Sequence, residues 1–250
     1  MADIIILSTA DWNHPLWTNK QHTALALAHE GHRVLYVESL GLRTPRVAGR
    51  DLRRILRRVR RMVQLPRQVA PRVWVWSPPV WPGGQSGLSL VLNRALLQRG
   101  LAFMALWLDF QYWILWTYNP LTALYLKRNS NNPRIYHCVD RIQDQPCMPA
   151  GRIDAWERRL SAEVQVVFTT SPELQVSHRR WNYHTYFHGN VADFQHFNRA
   201  LHKPLLACPE PLTAIPRPRL LFTGAIDAYK LDLSMLLQLA RRNSAWRFVL

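Results

Sequence analysis

Residues 3–8, DIIILS, form an unbroken apolar run of the kind a parallel sheet buries on both faces. A polar loop, TADWNHPLW, follows, and the alanine-leucine pattern at 24–28 then turns helical. Thr18 and Gln21 stand at capping-box spacing before that run, and Gly31 sits where a helix stops. RVLYVE at 33–38 returns to strand, so the chain opens with a βαβ unit.

The alternation continues. RVWVWS (72–77), WILWTY (113–118), RIYHCVD (134–140) and VQVVFTT (164–170) read as strands, with helices predicted over 88–105 and 152–162. Ile153, Trp156 and Leu160 share one face of the second of these helices. Ser171 and Pro172 form an N-cap and first-turn pair for another. Strands alternating with helices predict an α/β fold with a Rossmann-like, doubly wound parallel sheet. Residues 203–218 then carry five prolines in sixteen positions without periodicity. A strand, a glycine turn and a helix follow over 219–242, then a last strand in WRFVL. The domains expected are 1–195, a crossover over 196–218, and the beginning of a second Rossmann-like domain over 219–250. Two strands and one helix bury too little to stand alone, so that second domain is expected to be truncated.

Charge changes the picture in one place. The formal net charge is +16, and eleven arginines with one acid, Asp51, contribute +10 of it between Arg43 and Arg72. Within DLRRILRRVRRMVQ, Leu52, Ile55, Leu56, Val59, Met62 and Val63 keep helical spacing, while Arg53, Arg54, Arg57, Arg58 and Arg61 fill the other face. Such a basic amphipathic helix over 51–64 suits an anionic inner-leaflet surface, or docks on the protein's own sheet beneath a solvated arginine face. Nucleic acid is disfavoured, because that segment holds no aromatic residue on which a base could stack. The apolar stretch 101–126 is broken by Asp109, Gln111, Asn119 and Pro120, which favours a helix end and a buried strand over a membrane span. Three cysteines without a CxxC pair predict neither a disulfide framework nor a zinc knuckle, in keeping with a reducing cytoplasm.

In doubly wound sheets ligands sit beyond the carboxyl ends of strands. Asp11 and Trp12 follow the first strand, Asn119 follows WILWTY, and His137 and Asp140 lie around the end of RIYHCVD. The first turn lacks GxGxxG, which counts against a dinucleotide cofactor. His137 could line a cleft or be a satisfied core histidine; Asp140 could accept a hydroxyl or cap a turn. Gly224 could bring backbone close to a phosphate or serve an ordinary strand-to-helix turn, and Lys230 could meet an anion or lie in solvent.

DWNHPLWTNKQHTALALAHEGHRVLYVESLGLRTPR, ILWTYNPLTALYL, IYHCVDRIQDQP, VVFTTSPEL, GNVADFQHF and LLFTGAIDAYKLDLSMLLQLA occur in an order that resembles bacterial glycosyltransferases of the GT-B fold, family 4-like. The resemblance runs from about residue 8 to residue 250. It implies a retaining sugar transfer from a nucleotide-sugar donor to a lipid-linked or cell-surface glycan acceptor, with no metal or other cofactor. It places the acceptor beside Asp11 and Trp12 and the donor diphosphate at Gly224 and Lys230; the strand-end reading adds Asn119 on the acceptor side and proton exchange at His137 with Asp140. Together with the cysteine usage and the basic helix over 51–64, the resemblance leads to the expectation of a cytoplasmic enzyme held peripherally on the inner membrane. Two departures weigh against activity of these 250 residues: Ala225 stands where the family usually has arginine, and the family's acidic pair would fall beyond residue 250. The competing expectation is a truncated, non-catalytic remnant that binds an anionic membrane surface, followed by a basic nucleic-acid-binding protein.

Overall fold

The computed structural model describes residues 1–40, 65–80, 86–126, 131–145, 148, 150–202, 207–224, 226–227 and 230–250. The basic segment 51–64, with Arg53, Arg54, Arg57, Arg58 and Arg61, lies outside the described residues, as does Ala225. The chain divides into two compact units, Met1–Asn190 and Val191–Leu250.

The first unit is built on one sheet of eight strands. They are β1 (Asp3–Leu7), β2 (Arg33–Val37), β3 (Arg67–Ala70), β4 (Val73–Trp76), β5 (Trp113–Thr117), β6 (Arg134–Cys138), β7 (Val166–Thr169) and β8 (Thr185–Phe187). Their order across the sheet is β3-β4-β2-β1-β5-β6-β7-β8, parallel throughout except where β3 runs antiparallel to β4. The chain therefore winds outward from β1 in one direction, returns, and winds outward from β5 in the other. That reversal creates a topological switch point between β1 and β5, the place where an open α/β sheet leaves a crevice at its carboxyl edge.

Helices α1 (Asn19–His29), α2 (Gly87–Trp107), α3 (Thr122–Tyr125), α4 (Ala150–Glu163) and α5 (Pro172–Arg179) connect these strands. The period of two in each strand sorts side chains to opposite faces. Ile5, Leu7, Leu35, Val37 and Leu115 join Leu97, Leu101 and Met104 of α2 and Ile153 and Trp156 of α4 in one core. Ile4, Ile6, Val34, Tyr36 and Tyr118 join Ala24 and Ala28 of α1 in the other. Tyr136, Cys138 and Val167 pack on Leu160 of α4, Val164 just beyond that helix and Leu174 of α5 in a third.

The local signals read from the sequence recur as contacts. Thr18 N donates to Gln21 Oε1 at 3.1 Å at the start of α1, and Gly31 ends that helix at φ +90°, a conformation that favours glycine. Ser171 Oγ accepts Leu174 N at 3.2 Å at the start of α5. The sequence pattern missed β3, an edge strand inside the arginine-rich stretch, and β8, whose three residues are too short for a readable alternation. Among the described helices none is long and apolar enough to cross a membrane; residues 101–107 complete α2, and β5 follows six residues later.

The second unit contains α6 (Phe194–His202), α7 (Glu210–Thr213), β9 (Arg219–Leu221), α8 (Leu233–Arg242) and β10 (Arg247–Val249). β9 and β10 pair in parallel, as expected of strands joined by a crossover helix. The proline-rich stretch is not wholly irregular, since α7 makes one turn with Pro211 in its first turn, where a missing N–H costs nothing.

Candidate functional site

The carboxyl ends of β1, β2, β5 and β6 are organised around buried polar side chains. Glu38, directly after β2 and 4% exposed, accepts the backbone N–H of Trp12 at 3.0 Å on Oε1 and the hydroxyl of Ser77 on Oε2. Gln21 of α1, fully buried, donates to the carbonyl of Asp11 at 3.1 Å. Tyr36 Oη donates to the carbonyl of Ala10 at 2.9 Å and lies 2.7 Å from Ser8 Oγ. The loop after β1 is thus held at several backbone positions by side chains from two neighbouring elements. Asp11 is exposed on it, whereas the Trp12 ring is 6% exposed and packs at 5.1 Å against Tyr36 and 5.2 Å against Trp17. Trp12 thus shapes the loop and Asp11 presents the accessible carboxylate.

Asn119, just past β5, is fully buried. Its Oδ1 accepts Leu121 N at 2.9 Å, and its own N–H donates to Thr117 Oγ1 at 3.0 Å, while its buried Nδ2 has no hydrogen-bond partner among the described residues.

Lys20, His137 and Asp140 come together from α1, β6 and the loop beyond β6. Lys20 is 9% exposed, with Nζ 5.6 Å from the centre of the Tyr118 ring. Burial lowers its pKa, and the field of Asp140 opposes that shift. The His137 ring stacks on Tyr118 at 4.8 Å and neighbours Trp116 and Phe168 at 5.9 and 6.2 Å. Burial, then the positive charge of Lys20, then His188 hold its pKa down to about 4, so the imidazole is neutral near pH 7. Its buried Nδ1 has no hydrogen-bond partner among the described residues. Asp140 is exposed. Burial pushes the Tyr118 phenol up to about 12; its hydroxyl donates to Thr23 Oγ1 at 3.0 Å. The result is a half-buried imidazole, a desolvated cation and an open carboxylate at one end of the sheet, an arrangement suited to orienting a hydroxyl group.

Lys20, Tyr118 and His188 were not singled out from sequence. Lys20 looked like one of several polar residues opening a helix, yet the first turn of a helix that follows β1 must lie near the carboxyl edge, and that signal was present.

In the second unit, Gly224 follows β9, and a side chain there would bring its Cβ within 3.1 Å of Phe222 Cζ. Local packing therefore gives this glycine a reason independent of any phosphate. Lys230 is exposed, and its backbone N–H donates to the Asp227 carbonyl at 2.8 Å. Asp232 caps α8 by accepting Met235 N at 2.9 Å, which places a carboxylate where a helix would otherwise attract an anion.

A different cluster lies on the other face of β6. Cys138, Glu157 and His178, from β6, α4 and α5, have ligand-capable atoms that all lie within 4.8 Å of one another, and none is more than 2% exposed. Tyr136 Oη donates to Glu157 Oε1 at 2.5 Å, and Cys138 Sγ lies 3.5 Å from the same oxygen. Burial pushes the Glu157 carboxyl up, the Cys138 thiol well up, and the His178 imidazole down to about 4, so each shift favours the neutral form.

No protein-family model matches the sequence, and no curated protein does. Among solved structures, sucrose-phosphate synthase from Thermosynechococcus elongatus aligns with 81% of this chain and 96% of its own, at 12% identity and a TM-score of 0.49. An E. coli chain described as trehalose-6-phosphate bound with UDP-2-fluoro glucose aligns with 99% of this chain and 73% of its own, at 11% identity and a TM-score of 0.47. Likeness at this level says nothing about chemistry, and the fold class rests on the strand order itself.

Proposed function

We propose that the chain carries the acceptor-binding part of a glycosyltransferase, one that moves a sugar from a nucleotide-sugar donor to a hydroxyl of a lipid-linked or cell-surface glycan. The observation that carries this reading is the assembly of Lys20, His137 and Asp140 from three separate elements at the carboxyl edge, next to the switch point between β1 and β5. The ordered motifs that resemble family 4 glycosyltransferases supply the reaction class. In the transfer, the acceptor oxygen bonds to the anomeric carbon as that carbon's bond to the diphosphate breaks. The diphosphate departs with the electron pair and takes up the hydroxyl proton.

An imidazole held near pKa 4 is too weak a base to keep that proton at neutral pH, so His137 orients the hydroxyl by accepting its hydrogen bond. Asp140 accepts a second acceptor hydroxyl, and Lys20 balances the charge around both. Asp11 reaches the acceptor from the loop after β1, with Trp12 and Asn119 fixing the two loops from behind. Gly224 and Lys230 meet the donor diphosphate, where an ammonium offsets the charge that develops on the leaving group. No metal takes part in this step. The segment 51–64, with its five arginines named above, contacts the anionic inner leaflet and brings the enzyme to a lipid-borne acceptor.

The test is transfer of radiolabelled sugar from each common nucleotide sugar to a lipid extract, using the full chain. Transfer that falls at least ~100-fold in His137→Ala and Lys20→Met, at unchanged circular dichroism, is the expected result. Absence of transfer with every donor would overturn the reading.

A further inference from the structure

We infer that Cys138, Glu157 and His178 form a buried binding site for one divalent metal ion of the zinc class, separate from the acceptor site. The three side chains reach one point from three elements that are far apart in sequence: β6, α4 and α5. Cys138 Sγ is 3.5 Å and His178 Nε2 4.0 Å from Glu157 Oε1. In tetrahedral zinc sites with bonds of about 2.0–2.3 Å, ligand atoms stand roughly 3.3–3.8 Å apart, so the trio, whose atoms all lie within 4.8 Å of one another, closes on an ion with a contraction of up to about 1 Å.

The groups around the trio already orient it. Ser161 Oγ, fully buried, lies 2.9 Å from His178 Nδ1, which engages that nitrogen and leaves Nε2 facing Glu157. Tyr136 Oη donates to Glu157 Oε1 at 2.5 Å and so fixes the carboxylate. Partners that fix the far nitrogen of a histidine and one oxygen of a carboxylate are what metal sites place behind their ligands.

Charge points the same way. Glu157 is 2% exposed, and burial, which pushes its carboxyl up, outweighs the opposing field of Arg141. A thiolate, a carboxylate and a neutral imidazole together carry two negative charges, which a divalent ion cancels, leaving a neutral group in a low-dielectric core. As the metal binds, the thiol proton leaves to solvent, and so does the carboxyl proton where Glu157 is protonated; the imidazole donates a lone pair and the metal keeps its oxidation state. Cys138 follows His137 and faces the opposite side of β6, so the ion ties α4 and α5 to the strand that carries His137 without touching an acceptor.

The experiment uses the full chain, stripped with a chelator and titrated with Co²⁺ as the probe. The expected result is a thiolate-to-cobalt charge-transfer band that saturates at one equivalent and is displaced by Zn²⁺. Cys138→Ser removes the band. Ser161→Ala keeps all three ligands and weakens Co²⁺ binding about 10- to 100-fold, a loss that a purely structural serine would not produce. Circular dichroism of each variant separates these effects from unfolding. No charge-transfer band in the folded chain, a band that survives Cys138→Ser, or unchanged affinity in Ser161→Ala would each overturn the site. Sugar transfer is not read in this experiment, so its outcome is independent of the proposed reaction.

Discussion

Gly100, within α2, lets the helix lie close against Trp76 of β4. An alanine Cβ there would stand 2.5 Å from Trp76 Cη2 and 2.8 Å from Cζ2, and Trp76 is 3% exposed in the core. Carbon atoms pack comfortably at about 3.5–4.0 Å, so helix and indole must separate by roughly an ångström. Overpacking of this kind costs about 1–3 kcal/mol, whereas replacing glycine with alanine inside a helix contributes about 1 kcal/mol of helix propensity. The clash wins, and Gly100→Ala should destabilise the chain by about 1 kcal/mol, with 2 kcal/mol as the upper end. Gly151→Ala, in the first turn of α4 with nothing within 4 Å of its Cβ, tests the propensity contribution alone and should be neutral or stabilising by up to about 0.5 kcal/mol. Urea unfolding at constant m gives both values. The strain should also reach the loop after β1: the carbonyl of Trp76 accepts Glu38 N at 2.9 Å, and Glu38 holds Trp12. Equal midpoints for Gly100→Ala and Gly151→Ala would refute the close-approach reasoning.

Two further outcomes follow from the ends of the sheet. The Tyr118 phenol, pushed up to about 12 by burial, should titrate well above the ordinary tyrosine value of about 10, read as the difference in ultraviolet absorbance between the parent and Tyr118→Phe. Its folded pKa lies above the unfolded value, so its contribution is complete below pH 10 and is lost as pH rises through about 12, amounting to roughly 2–3 kcal/mol; equal loss in Tyr118→Phe over that window would disprove it. At the amino end, Arg33 binds both oxygens of Asp3 at 2.6 and 2.7 Å and donates to the carbonyls of Leu108 and Asp109. Arg33→Lys cannot reproduce that fork and should cost about 2–3 kcal/mol of stability while leaving the carboxyl-edge site unchanged, read as a lowered urea midpoint with unaltered turnover of the folded fraction.

The sheet was legible in the sequence because its central strands β1 and β2 are buried on both faces and write continuous apolar runs, as in Ile4, Ile5 and Ile6, while β5, β6 and β7 alternate buried and half-buried positions. Helix limits were legible where capping chemistry is local, at Thr18 with Gln21 and at Ser171. The site was legible only as a set of strand ends. His137 and Asp140 could be named because they flank the end of β6, but its alternation could not say that Lys20 from α1 would lower the imidazole's pKa. Glu157 left a signal that the apolar reading of α4 passed over. It occupies the slot one turn beyond Ile153 in the stripe with Trp156 and Leu160, and a carboxylate in a core stripe needs a partner.

Consecutive residues His137 and Cys138 occupy opposite faces of β6, a strand flanked on both sides by β5 and β7. Deleting or inserting a single residue within β6 would carry imidazole and thiol to each other's compartments, placing the thiol beside Tyr118 and the imidazole against Glu157. Changes in length in the turn before Arg134 leave that assignment intact, provided pairing with Leu115 and Val166 is kept. Variants of this chain should therefore gain and lose residues in the loops around β6 far more readily than within it, and the two sites should tolerate or reject such a change together.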